Sequence, residues 1–294
     1  MSAYDHDFPA WGDTAEKNWK HCLARPFVAG TFVWAGFDYR GEPTPYGWPC
    51  IGSHFGIMDA CGFPKDNFCY YQSWWSKKTV LHILPHWNWP GREKQKIAVW
   101  VHSNCDEVEL FLNGKSLGRK GVRQASRLMW KIAYHPGILL ACGYKKGRLA
   151  MKTVTETTGV PHGIRLVPDR PRLRADGEDV AMVRVEIIDR QGRLVPTADN
   201  EISFLVGGNA RIIGVGNGNP SSHEPDKAAR RRAFNGLCQI IVQTTRQAGA
   251  IELIAKSKGL FKSAIRLQAG KTFCRPTLDS AMIERRSSCC ARGK

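Results

Sequence analysis

The spacing of apolar residues changes along the chain, and each change marks a change in expected architecture. Phe27–Pro45 opens with a near-continuous apolar run, including Val28, Phe32, Val33 and Phe37, the pattern of a strand covered on both faces. Gly30 and Gly36 allow close backbone approach there, and Arg40-Gly41-Glu42-Pro43 supplies turn chemistry at the end of the run. Upstream, Asp13 is placed to cap a helix from about Thr14 to Leu23, stopped by Arg25-Pro26. Beyond a loop over 41–53 with three prolines, Pro64 and Asp66 introduce a second helix through Trp75, with Asp66 placed to cap it. Helix followed directly by buried strand is the rhythm of an α/β barrel, although one strand between two helices cannot close one.

From about Thr79 the period becomes two. Ile97, Val99 and Val101 alternate with Ala98, Trp100 and His102, and Val108, Leu110 and Leu112 alternate with Glu107, Glu109 and Phe111 up to Asn113-Gly114. An Asn-Gly pair after alternating apolar residues signals a hairpin. Leu128, Trp130, Ile132 and Tyr134 repeat the alternation, and Ile138–Tyr144 follows with a Lys146-Gly147 turn. These strands predict an antiparallel sandwich. A hinge near 157–161 starts a second set. Its strands are expected at 183–188, 202–206, 210–215, 237–244, 251–255 and 264–267, with a Gln191-Gly192 turn, and they predict an immunoglobulin-like sandwich. After Gly270 the periodicity stops, and a disordered tail is expected.

Composition narrows the functional classes. The chain has 294 residues and a formal net charge of +17, which raises nucleic-acid binding as a hypothesis. The distribution argues against it. Six Lys/Arg oppose two acids from Lys271 onward, Arg230-Arg231-Arg232 forms one short run, and the remainder is spread through strands and turns. No apolar run approaches the length of a membrane span, and the N-terminus lacks the pattern of a signal peptide. No nucleic-acid partner and no membrane partner are therefore expected. The ten cysteines include no Cys-x-x-Cys and read as reduced, non-ligating thiols that fix no compartment.

The individual motifs are weak by themselves. Gly214-Val215-Gly216-Asn217-Gly218-Asn219-Pro220 resembles a phosphate-binding loop, but no helix begins after it, so a loop between sandwich strands is expected. His82 and His86 lie four apart in a segment that also contains Pro85 and Pro90, which disfavours a helix that would aim both at one metal. No metal site and no cofactor are expected, and His86, Trp87 and Trp89 read as a seam against the segment before them. Glycoside cleavage needs two carboxylates flanking the scissile bond. Asp38 and Glu42 lie nearest the end of the apolar strand, and Trp34 is a natural platform for the C–H face of a sugar. A buried strand Trp is more often core, and an Asp at a strand end is more often structural.

Longer stretches carry a resemblance. FVAGTFVWAGFDYRGEPTPYGWP, FGIMDACGFPKDNFCYYQSWW, ILPHWNWPGRE, DEVELFLNGKSLGRK and GVGNGNPSSHEPDKAARRRAFNGL, in that order, resemble glycoside hydrolase family 2 β-galactosidases over roughly residues 1–268. The fold class implied is mostly β: two immunoglobulin-like β-sandwiches preceded by the last βα part of a (β/α)8 barrel. Residues 1–78 would be the barrel remnant, with Phe27–Asp38 as strand eight. Residues 79–160 and 161–270 would be the two sandwiches, and 271–294 the basic tail. Barrel active sites lie at the C-terminal ends of the strands, so Trp34 and Asp38 would be substrate-binding residues. In the family the acid/base glutamate follows strand four and the nucleophile follows strand seven. Both are expected upstream of Met1, and no catalytic residue is transferred to this chain, Glu42 included. The parent would be a retaining β-galactosidase whose partner is a β-galactoside, and a periplasmic or extracellular parent fits. The chain alone is expected to be inactive. A carbohydrate-binding or domain-packing module without hydrolase activity stays open as the alternative.

Overall fold

The computed structural model describes residues 8–273; residues 1–7 and 274–294, which hold most of the expected tail, lie outside the described residues. Among the described residues, two helices and sixteen strands make up the regular structure. The helices are α1 (Ala15–Leu23) and α2 (Asp66–Trp75). Thr14 rather than Asp13 caps α1, its side chain accepting from the Lys17 N–H, while Asp13 accepts from the Thr14 N–H. Asp66 lies inside the first turn of α2 and accepts instead from His82, 2.7 Å away.

The first sandwich contains β1 (Leu81–Leu84), β2 (Lys96–Ser103), β3 (Glu107–Leu112), β4 (Lys115–Gly121), β5 (Leu128–Ala133), β6 (Ile138–Lys145) and β7 (Arg148–Glu156). A three-stranded sheet, β1-β2-β5, packs on a four-stranded sheet, β4-β3-β6-β7. Leu81, Val99, Val101, Val108, Leu110 and Leu139 lie in the core between them. Asn113 (φ 51°) and Gly114 (φ 82°) form the tight turn between β3 and β4, and Lys146 (φ 49°) and Gly147 (φ 74°) repeat it between β6 and β7. Left-handed values at both central residues give the hairpin the twist of its strands. Strand β2 departs from the simple alternation because both of its faces are covered. Val99 and Val101 point into the core, while His102 on the other face meets Tyr70 of α2 ring-to-edge at 5.5 Å. Arg127 lies 3.8 Å over the Trp100 ring and pairs with Glu16 of α1 at 2.6 Å.

The second sandwich contains β8 (Gly163–Pro168), β9 (Arg172–Arg174), β10 (Val180–Ile188), β11 (Glu201–Gly208), β12 (Ala210–Gly216), β13 (Arg230–Arg232), β14 (Leu237–Thr244), β15 (Gly249–Lys256) and β16 (Ser263–Gly270). The sheets β12-β14-β10-β8 and β13-β11-β15-β16-β9 enclose a core that includes Val183, Val185, Phe204, Ile240 and Leu253. Pairing is antiparallel throughout except between β16 and β9. The two sandwiches are joined through a carboxylate clamp. Asp189 accepts from the Gly159 N–H at 2.9 Å, from the Gln191 and Arg193 N–H groups, and from the Arg193 guanidinium at 2.6 and 2.8 Å. Arg193 also reaches Glu156 at the end of β7, 3.1 Å away.

Two further expectations are corrected. Phe27–Asp38 is not a strand: its only ladder contact among the described residues is an isolated bridge from Phe37 to Met58, and Phe27 is 84% exposed with Phe32 and Phe37 exposed beside it. No described strand lies on either side of the segment, so its continuous apolar run has nothing to cover it. Trp87, read as part of a seam, is instead fully buried in the core of the first sandwich, its indole donating to the His135 carbonyl at 3.0 Å. His86 does stack on Trp89, at 4.6 Å.

Two buried imidazoles set an acid sensitivity. Burial, then the charges of His82 and Arg127, lowers His102 to about 3; burial, helped by Lys65, lowers His54 to about 4. Unfolded histidines take up protons near pH 6.5, whereas these two stay neutral in the native state until much lower pH. Their contribution is fully present above pH 6.5 and is lost as pH falls toward those values. Between pH 6.5 and 4.5 His102 removes about 2 kcal/mol of stability, and the more solvated His54 less. Denaturant midpoints measured at both pH values for the protein and for His102→Leu are expected to show a smaller drop in the variant; an equal drop would refute the assignment.

Candidate functional site

The segment that failed to form a strand lines an open cleft. Residues 35–38 run beside 55–58, with Ala35 N–H donating to Phe55 O, Ile57 N–H to Ala35 O, Met58 N–H to Gly36 O and Asp38 N–H to Met58 O, all at 2.9–3.1 Å. The backbones lie so close at Gly56 that an added Cβ would sit 2.2 Å from the Asp38 nitrogen, so only glycine fits. This pairing fixes the positions of Trp34 and Asp38 without a sheet.

Trp34 and Asp38 both line an open cleft of about 1240 Å³. Trp34 is 75% exposed. Its indole N–H donates to the Tyr39 hydroxyl at 2.8 Å, and that hydroxyl donates to Glu42 in a short contact that raises the Tyr39 pKa. The chain Trp34–Tyr39–Glu42 holds the indole edge and leaves its faces open. Asp38 differs: it is buried, accepts from the Gly56 N–H at 2.8 Å and pairs with Lys65 at 2.5 Å. Lys65 also donates to the His54 carbonyl at 3.2 Å. Asp38 thus ties the cleft floor to the turn before α2.

The remaining carboxylates of the cleft are also engaged. Asp59 accepts from the Cys61 and Phe63 N–H groups at 2.8 and 2.9 Å, although burial raises its pKa. Asp66 pairs with His82, Asp13 with Lys17, and Glu42 with Tyr39. Burial pulls His82 down, but Asp66 and Cys69 outweigh it and raise it to about 10. Among the described residues no group of three or more His, Cys, Asp or Glu is arranged to hold a metal, and no helix is long and apolar enough to cross a membrane. The described cysteines are free, and burial pushes the Cys61 thiol up to about 12.

The opposite wall comes from the second sandwich. Gly218, Asn219, Pro220, Ser221, Phe234 and Asn235 line the same cleft. The Pro220 carbonyl accepts from both the Ile51 and Gly52 N–H groups at 2.9 and 3.0 Å. Trp48 meets His223 in a tilted ring contact at 4.5 Å, Arg40 pairs with Asp226 at 2.8 Å, and Gln239 donates to the Cys61 carbonyl at 3.2 Å. A Cβ at Gly218 (φ +70°) would lie 1.8 Å from the Asp59 carboxylate, and one at Gly216 would lie 2.7 Å from the Cys61 sulfur. The glycines of the 214–220 loop therefore let it lie flat against 50–61. The sequence pattern marked this stretch as an inter-strand loop; its contact with residues more than 150 positions upstream was not visible in it.

Comparison with known proteins adds the ancestry. Residues 164–266 match the model of glycoside hydrolase family 2 C-terminal domain 5, and residues 94–151 match a domain of unknown function, DUF4982. The β-galactosidase BoGH2A of Bacteroides ovatus is 44% identical over 272 residues, covering 91% of this chain and 32% of that protein. The chain belongs to glycoside hydrolase family 2. A β-glucuronidase of Formosa agariphila is 27% identical over 266 residues, 87% of this chain and 26% of its own. Among solved structures, a β-glycosidase from Bacteroides vulgatus superposes with a TM-score of 0.86 at 34% identity, over 92% of this chain and 34% of that one. A family 2 member from Bacteroides cellulosilyticus gives 0.82 at 31% identity, over 87% and 38%. This family 2 chain spans about a third of the length of the B. ovatus relative.

Proposed function

We propose that this chain is the C-terminal part of a retaining β-galactosidase, with residues 1–78 closing its catalytic barrel and Trp34 serving as the platform for the sugar. The observation that carries the reading is an indole with open faces, held at its edge by Tyr39 and Glu42, on the wall of a cleft. The choice of galactoside rests on the 44% identical B. ovatus β-galactosidase. Asp38, held by Lys65 and Gly56, is the residue that meets sugar at the cleft floor. Retaining hydrolysis uses two carboxylates about 5–5.5 Å apart, one as acid/base and one as nucleophile. Each carboxylate of this cleft is already committed to an amide, a lysine, a histidine or a tyrosine. The reacting pair is assigned to a part of the enzyme outside these residues.

Two measurements test this. The purified chain is expected to release no nitrophenol from nitrophenyl β-galactoside; turnover that Glu42→Gln abolishes would overturn the assignment of the chemistry elsewhere. In ligand-detected NMR the chain is expected to bind methyl β-galactoside, more tightly than methyl β-glucuronide, and Trp34→Ala is expected to remove that binding at least tenfold. No binding of either glycoside, or binding indifferent to Trp34, would sink the platform.

A further inference from the structure

Where α2 packs on the first sandwich, an acid, an imidazole and a thiol come together. Asp66 and Cys69 stand three residues apart on α2 and so share a face of the helix. That face meets His82 of β1, whose Nε2 lies 2.7 Å from Asp66 Oδ1 and which is also hydrogen-bonded to the Cys69 side chain. These two partners keep the imidazole protonated against the pull of burial. Beside it the His102 ring lies nearly parallel at 6.4 Å, buried and neutral, its Nδ1 without a partner among the described residues. His102 therefore adds no charge to that of His82. The trio still reaches solvent: the His82 and Asp66 side chains are 33% and 29% exposed, and Cys69 is half-buried.

The other described cysteines lack this arrangement. The Cys50 sulfur also touches an imidazole, 3.1 Å from His54 Nε2, but burial and Lys65 keep that ring neutral, and both residues are buried. Cys105, Cys142 and Cys238 are buried, burial pushes the Cys61 thiol up, and Cys22 faces the Asn18 amide oxygen at 4.0 Å. The thiolate is the reactive form of a cysteine, and a cationic imidazole beside it favours that form. We propose that Cys69 is a modification site for hydrogen peroxide, with His82 as its proton donor and Asp66 holding the imidazole. The Cys69 thiolate sulfur attacks one peroxide oxygen, and the S–O bond forms as the O–O bond breaks. Sulfur gives up two electrons, the peroxide takes them, and the departing hydroxide takes the His82 proton and leaves as water. The product is a sulfenic acid. It is uncharged, so His82 loses one of the two partners that held its charge, and the joint between α2 and β1 loosens.

The test treats the full chain with hydrogen peroxide in the presence of dimedone, which caps sulfenic acids, and follows each cysteine peptide by mass spectrometry. The reference is Cys69 in the same chain unfolded in guanidinium chloride, where no imidazole is held beside it. Cys69 is expected to be capped about tenfold faster in the folded chain than in the unfolded one, whereas partial burial alone would make it slower. His82→Gln, which keeps a hydrogen-bonding side chain but carries no charge, is expected to return the rate to the unfolded value. Asp66→Asn is expected to lower it in part. Near-UV circular dichroism shows which variants keep the native fold, and the folded-to-unfolded ratio of the unaltered chain decides the question if neither does. A folded rate at or below the unfolded rate, or a fast rate retained by folded His82→Gln, would overturn the site. In hydrogen exchange, peroxide is expected to expose the α2 amides of the unaltered chain and not those of Cys69→Ser; equal exchange in both would overturn the coupling to the joint.

Discussion

Trp87→Ala is expected to destabilise the first sandwich by about 3–5 kcal/mol, the range for truncating a buried large aromatic residue. Trp87 is fully enclosed, meets Tyr134 ring-to-edge at 5.1 Å and donates to the His135 carbonyl. The substitution leaves a cavity beside Tyr134 in the core of the first sandwich and strips that carbonyl of its donor. The Trp87 carbonyl, which accepts from Thr157 Oγ1 at 2.6 Å, survives the change, so the start of the hinge is spared. Hydrogen exchange across a denaturant series is the appropriate measurement. Residues 81–156 are expected to open at lower denaturant, while 163–270, whose core does not include Trp87, hold their midpoint. A parallel shift of both sandwiches would mean that they unfold as one unit and that the core assignment is wrong.

Asp189→Asn is expected to cost about 3 kcal/mol, the lower end for breaking one partner of a buried ion pair, because Arg193 can regain water on its exposed side. The amide keeps the shape of the carboxylate but turns a donor toward the guanidinium and removes the charge. Burial pushes the Asp189 carboxyl up, yet the Arg193 guanidinium and the Gly159 and Arg193 N–H groups overcome it and lower it to about 2. A lowered carboxyl contributes stability that is present above its unfolded value near 3.8 and is lost as pH falls through about 2. The gap between protein and variant is therefore expected to be full at pH 7 and to close between pH 4 and 2. Urea midpoints at those pH values check it, with exchange at Gly159 reporting the hinge. A gap that is constant down to pH 2 would assign the loss to shape rather than charge.

The parts of the fold that were readable from sequence are those set by neighbours a few residues apart. Asn113-Gly114 and Lys146-Gly147 specify left-handed turns locally, and the alternating runs beside them name the strands they join. The helix at 66–75 was visible from Pro64 and Asp66, although tertiary contact with His82 took Asp66 away from the capping role. Phe27–Asp38 was misread because an apolar run states what a strand would need on its two faces and says nothing about whether the chain supplies it. In the site, Trp34 and Asp38 were readable as residues at the end of that run. Lys65 and Pro220 were not, since each acts through a contact that folding alone brings together. Asn235-Gly236 did carry a local turn signal, the same dipeptide that marked Asn113-Gly114.

The shared acceptor at Pro220 has a consequence for anyone recombining these modules. One carbonyl serves two amides of a distant segment, and two glycines beside it are matched to a particular carboxylate and a particular thiol. A chimaera cut at the 157–161 hinge that imports a homologous terminal sandwich would inherit a lock without its key, even if both halves fold well alone. Residues 50–61 and 214–223 should travel together as one exchangeable unit.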